Sequence, residues 1–296
     1  MPLFERVTII GVGLIGGSLG MALRGRALAG EVVGVTRVPE TIAAARARGA
    51  IDRGTVDPVE GVDGADLVVL ATPPDLVVPM ARRALPHLRA GALVTDVASV
   101  KAEIVRAIEA LLRPGSRVAF LGGHPMAGNE GRGIAAAAAS LFEGAVYLLT
   151  PTPRTPADAC ERLTGLARAL GARPVAMDPE AHDRAVAVVS HLPYLVAAAL
   201  VGICGSAGNA AGPAFLGATR VAGSPVEMWA QICRLNREPI QGALRAFREE
   251  LARLEAALAD GDGFDALLER ARRARLRLRE RSQPAGRPAR GAREDG

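Results

Sequence analysis

Cysteine, lysine and aromatic residues are scarce in this chain of 296 residues, and each scarcity removes a class of protein. The three cysteines, Cys160, Cys204 and Cys233, stand far apart with no Cys-x-x-Cys pair, so neither a disulfide framework nor a metal site can be read. A reducing, cytoplasmic setting fits that usage. Aromatic residues are 3% of the chain, and none interleaves the arginine-rich end "ARRARLRLRERSQPAGRPARGARED". Without stacking groups, the net charge of +5 does not point to nucleic acid. That end reads as a solvated helix followed by a disordered basic tail, residues 283–296. The N-terminus "MPLFERVTIIGVG" lacks the basic region, apolar run and cleavage site of an export signal. Lysine occurs once among 36 basic residues, at Lys101.

What is present is aliphatic: 49% of residues are hydrophobic, on a chain long enough for two domains. Short Val/Ile/Leu runs recur up to about residue 175, among them "RVTIIGVG", "EVVGVT", "DLVVLATP", "ALVTDVAS" and "RVAFLGG", and helix-like segments separate most of them. That alternation predicts an α/β domain, a parallel sheet covered on both faces, over residues 1–178. Beyond "MDPEAHD" the strand signals stop, which predicts an all-α domain over residues 179–282. Within it, "AVAVVSHLPYLVAAALVGIC" has the length of a membrane span. His191 and Pro193 near its middle, and the lack of a second span, make it instead a kinked helix buried in a core or subunit interface.

The first chemical motif is "TIIGVGLIGGSLG". Gly11, Gly13 and Gly16 form Gly-x-Gly-x-x-Gly after a strand and at the head of a helix, the context a dinucleotide requires. The glycines serve a tight turn, close approach of a pyrophosphate and helix–strand packing, and the helix N-terminus offers N–H groups to the phosphates. Leu14, Ile15, Thr72 and Pro73 complete the expected cofactor contacts. Where enzymes using NAD carry an acidic residue at the end of the second strand, this chain reads Thr36-Arg37, which predicts NADP, with NAD as the second option.

In "TDVASVKAEI" a helix is expected to begin near Ser99, which is either its N-cap or, at the carboxyl end of a strand, a hydroxyl facing the nicotinamide. Lys101 is either a compositional remnant or a compact ammonium near cofactor or substrate. "FLGGHPMAGNEG" follows another strand, and its glycines predict a flexible loop that carries His124 to a substrate as the acid/base residue. His87 and His182 lack a catalytic setting by sequence. His191, inside the apolar helix, reads equally as a core histidine or a substrate contact.

Together, "GVGLIGGSLG", "TDVASVK", "GGHPMAG", "SHLPY" and "TRVAGSPVEMW" resemble, in order and spacing, the prephenate and arogenate dehydrogenases (the TyrA family), over residues 7–250. The resemblance implies a Rossmann-like N-terminal domain and an all-α C-terminal dimerisation domain. It also implies oxidative decarboxylation of a cyclohexadienol in tyrosine biosynthesis, with hydride transfer to NAD(P). By it His124 is the residue that hydrogen-bonds the ring hydroxyl, Ser99 its partner, and Arg220 the group binding the substrate carboxylate. Many prephenate-using members read His-Leu-Pro-His, whereas Tyr194 stands at the last position here. Loss of that potential cation, with the NADP signal, favours arogenate over prephenate.

Rival readings remain. β-Hydroxyacid dehydrogenases use a lysine in the second domain, and no lysine follows Lys101. Imine or pyrroline reductases leave "GGHPMAG" with "TRVAGSP" unexplained, and a non-catalytic NADP-binding regulator would bind cofactor without turnover. With no room before Val7 or after the helices for another catalytic or regulatory domain, a monofunctional homodimer is expected.

Overall fold

A computed structural model describes residues 1–282 apart from Pro114, Glu130 and Asp262, so the expected basic tail lies outside the described residues. Strands β1 (Phe4–Ile10), β2 (Ala29–Val35), β3 (Arg53–Thr55), β4 (Leu67–Leu70), β5 (Leu93–Asp96), β6 (Ala119–Pro125), β7 (Val146–Thr150) and β8 (Arg173–Ala176) form one sheet. Its order is β3-β2-β1-β4-β5-β6-β7-β8. Helices α1 (Leu14–Gly25), α2 (Pro39–Ala47), α3 (Pro58–Val62), α4 (Pro74–Ala84), α5 (Ala102–Leu111) and α6 (Ala157–Ala169) connect most of the strands. Burial on both faces explains the unbroken apolar runs. Along β4, Leu67 and Val69 join a core with Leu19 and Leu163, while Val68 and Leu70 join another with Val77 and Ile104.

The sheet is parallel except between β6 and β7, which pair antiparallel, with β8 parallel to β7. The expected parallel-type sheet thus carries one antiparallel pairing. Among the described residues of 126–145 there is a single 3-10 turn, Ile134–Ala136, and no α-helix to carry the chain across the sheet. The strand therefore returns beside its predecessor in the opposite direction.

From Pro179 onward the chain is helical: α7 (Pro179–Val186), α8 (Leu192–Cys204), α9 (Pro213–Thr219), α10 (Val226–Leu235), α11 (Arg237–Asp260) and α12 (Phe264–Ser282). A π-helical segment, Ala187–His191, joins α7 to α8 and supplies the irregularity expected of this apolar stretch. The change of secondary structure falls at Asp178, the N-cap of α7, but the compact units are Met1–Gln241 and Gly242–Gly296. The first unit runs past Asp178 because side chains of α7 bond directly to the α/β layer, as described below. In the second, Glu250 pairs with Arg253 and Arg270, each at 2.7 Å.

Candidate active site

At the centre of the sheet the chain leaves β1 towards β2 on one side, and β4 lies on the other, so a crevice opens at the carboxyl ends of β1 and β4. Gly11 turns there with φ +102°, and a Cβ on it would meet the Ala71 carbonyl and, at 2.9 Å, the Thr72 nitrogen. Only glycine satisfies both conditions. Gly13, the N-cap of α1, has nothing within 4 Å of its would-be Cβ, whereas Gly16 packs on the Ile9 side chain and the Gly11 carbonyl. No acidic residue or side-chain cap occupies the first turn of α1, where Leu14 and Ile15 sit half-buried. Its N–H groups remain available to an anion. The Thr72 hydroxyl is buried without a partner among the described residues, and Pro73 is the N-cap of α4. This cradle fits a dinucleotide: open space at Gly13, an uncapped helix end and an orphaned hydroxyl.

At the end of β2 the two expected discriminators part company. The Thr36 hydroxyl donates to the Val38 carbonyl at 2.8 Å. Arg37 is exposed and holds no ion pair among the described residues.

His124 lies in strand β6, not on a flexible loop as its glycines predict, and is 6% exposed. The flanking glycines answer to packing. A Cβ on Gly123 would stand 2.9 Å from the Asp96 carbonyl, 3.0 Å from the Thr95 hydroxyl and 3.1 Å from the Tyr147 ring. His124 Nδ1 lies 2.9 Å from His182 Nε2, and His182 Nδ1 lies 2.8 Å from Asp183 Oδ1. A carboxylate only accepts, so His182 carries its proton on Nδ1 and its Nε2 accepts from His124 Nδ1–H. In the neutral ring this leaves a lone pair on His124 Nε2. Burial, and then the nearby His182, Lys101 and His191, hold His124 well below the usual histidine range, so the neutral form prevails. Burial also lowers His182, against the opposing bond to Asp183.

His182 thus belongs to the site, which corrects its dismissal from sequence. Its partner His124 is 58 residues away, and the one local signal is the His-Asp pair in the first turns of a capped helix. Asp183 has a second task. Its carboxylate accepts the Lys101 and Ala102 N–H groups at 2.8 and 2.9 Å, capping α5 from another element. Helix α5 accordingly begins at Ala102, and Ser99 is not its N-cap. Ser99 is half-buried, with no hydrogen-bond partner among the described residues.

The Lys101 side chain turns to Asp96. It is fully buried, with Nζ bonded to Asp96, and burial lowers its affinity for a proton while Asp96 opposes the shift. Asp96 also accepts the Ala98 N–H at 3.0 Å, which ties the end of β5 to the α5 entry.

His191 is buried in the π segment, at about 4 on the pKa scale because of burial. Trp229 stacks on Tyr194 with centroids 3.8 Å apart and planes 4° apart, and stands perpendicular to His191 at 5.9 Å. Arg220 is exposed in a 3-10 turn, Arg220–Gly223, that packs on α8. The structure therefore gathers His124, His191 and Lys101 around His182 and Asp183, and places Tyr194 beside Trp229.

Two family profiles match: "Prephenate dehydrogenase, nucleotide-binding domain" over residues 19–176 and "Prephenate dehydrogenase, dimerization domain" over residues 178–271. A prephenate dehydrogenase of Bacillus subtilis is 34% identical over 268 residues, 87% of this chain and 71% of that protein. The crystal structure of Synechocystis arogenate dehydrogenase is 32% identical at a TM-score of 0.81, covering 93% of this chain and 100% of that one. That of prephenate dehydrogenase from A. aeolicus, with hydroxyphenyl propionate and NAD+, is 31% identical at 0.83, covering 93% and 98%.

Proposed function

The chain belongs to the prephenate dehydrogenase family, the nicotinamide-dependent oxidoreductases that oxidatively decarboxylate cyclohexadienols in tyrosine biosynthesis, and from that premise we propose how its own residues share the work. The observation that carries the proposal is the hydrogen-bonded line His124–His182–Asp183, which directs His124 Nδ1–H to His182 and leaves the Nε2 lone pair at the carboxyl edge of the sheet.

Gly11, Gly13, Gly16 and the N-terminus of α1 hold the cofactor's phosphates, with Leu14, Ile15, Thr72 and Pro73 around it. A nicotinamide held there would supply the acceptor for the hydride on the ring carbon that bears the hydroxyl. His124 Nε2 accepts a hydrogen bond from that hydroxyl and offsets the positive charge developing at the carbon as hydride departs. The ring carboxylate leaves as carbon dioxide, its electron pair completes the aromatic ring, and the phenolic product keeps its proton. Ser99, free of capping duty, shares the hydroxyl with His124. Arg220 binds a substrate carboxylate as a charge-assisted partner.

Arg37, exposed at the end of β2 and without an ion pair among the described residues, supports NADP as the preferred cofactor, with NAD accepted. Tyr194, an uncharged side chain stacked on Trp229 where many prephenate-using members carry histidine, supports arogenate as the preferred substrate and prephenate as the second.

The segment Pro179–Ala210 is long and apolar enough to cross a membrane, with 22% of its most apolar window buried. Val188, Val189, Val201 and Ile203 are exposed on it, and the stretch falls within the match to a dimerisation domain. We read it as the homodimer contact of a cytoplasmic enzyme rather than a span.

Replacing His124 with Ala tests the central role. Turnover falls about 10²- to 10⁴-fold while cofactor affinity holds. Near-normal turnover would remove His124 from the mechanism.

A further inference from the structure

Asn236, at the junction of α10 and α11, is 1% exposed and far from any expected motif. Its Nδ2 group donates to the Asp183 carbonyl at 2.9 Å and lies 3.0 Å from His191 Nδ1. A backbone carbonyl can only accept, so it fixes which end of the amide faces it: the NH2. The second hydrogen of that NH2 then meets His191 Nδ1, which must be the acceptor. A neutral imidazole with Nδ1 as acceptor carries its proton on Nε2.

His191 Nε2 is buried and has no partner among the described residues. Asn236 Oδ1 and Trp229 Nε1, in the same cluster, are also buried without a partner among the described residues, so the cluster holds polar atoms that a bound oxygen-bearing ligand would satisfy. His191 sits close enough to His124 and His182 to share their electrostatics, and its ring meets Trp229 edge-on.

We infer that Asn236 is a positioning residue, which holds His191 as the tautomer whose Nε2–H meets a carboxylate or carbonyl oxygen of the substrate. The inference rests on the cyclohexadienol reading of this site. An uncharged donor, pre-set by a rigid amide, orders such an oxygen without adding a charge beside His124.

The test is a long-range proton–nitrogen correlation spectrum of the full chain with labelled histidine. His191→Gln identifies the His191 signals among the four histidines. His191 in the wild type shows a protonated Nε2, and adding hydroxyphenyl propionate with NAD+ moves that resonance. A proton on Nδ1, or an Nε2 signal indifferent to the ligand, overturns the inference. In Asn236→Asp the carboxylate can only accept, so the His191 proton moves to Nδ1. The Michaelis constant for the substrate then rises about 3- to 10-fold, with turnover and cofactor affinity near wild type. A folded Asn236→Asp enzyme with the wild-type Michaelis constant also overturns it. Should that variant not fold, the wild-type spectrum decides alone. A wild-type enzyme silent towards every cyclohexadienol would instead remove the functional reading, a result distinct from either tautomer outcome.

Discussion

Mild acid should destabilise this fold through histidines that it buries uncharged. His124, His182 and His191 all have folded values below the ordinary 6.5, each chiefly because of burial. In the unfolded chain they take up protons as pH falls through about 6.5. The folded chain resists until lower pH, so the unfolded state binds more protons and stability declines as pH falls. Above that range both states are neutral and the contribution is flat. For His191, with a folded value of about 4, lowering the pH from 6.5 to 5 costs about 2 kcal/mol. That alone lowers the melting temperature by roughly 4–8 °C for a domain of this size, and the other two histidines act in the same direction. Melting followed by the fluorescence of Trp229, the sole tryptophan, at pH 7.5, 6.5, 5.5 and 5 and fixed ionic strength reads the effect. His191→Gln should flatten the slope below pH 6.5. A melting temperature constant from pH 7.5 to 5, or an equal slope in that variant, would refute the reasoning.

Other perturbations follow from the same geometry. Arg37→Ala should weaken NADP binding by about 1.5–3 kcal/mol and leave NAD nearly unchanged, seen by titrating both cofactors; unaltered discrimination would discard the NADP assignment. Arg220→Ala should raise the substrate Michaelis constant by a similar free energy, and a wild-type constant would exclude its carboxylate role. Gly123→Ala forces a Cβ against the Asp96 carbonyl and the Tyr147 ring, and should cost about 1–3 kcal/mol in denaturant unfolding; an unchanged midpoint would show that β5 and β7 yield there.

Parts of the site governed by neighbours in sequence were legible. The turn at Gly11, the open approach at Gly13 and the packing of Gly16 follow from spacing, because strand, turn and helix are contiguous. His124 was legible as a position at the carboxyl end of a strand, but not as a strand residue. Its glycines serve close packing against β5 and β7, and Gly-rich sequence alone does not distinguish that from a loop. Contacts across long separations were not legible. The cap of α5 comes from Asp183, 82 residues beyond Lys101, so from local sequence Ser99 read as a possible N-cap. His182 is defined by His124 and not by its own neighbours. Lys101, alone of its type, read from sequence either as a compositional remnant or as a ligand group, and its pairing with Asp96 was not visible there.

The most direct test of the account is a grid of prephenate and arogenate against NAD and NADP, following reduced-nicotinamide absorbance with the purified protein. The account predicts turnover, fastest with arogenate and NADP. Silence in all four combinations, from folded protein that binds NADP, would contradict it.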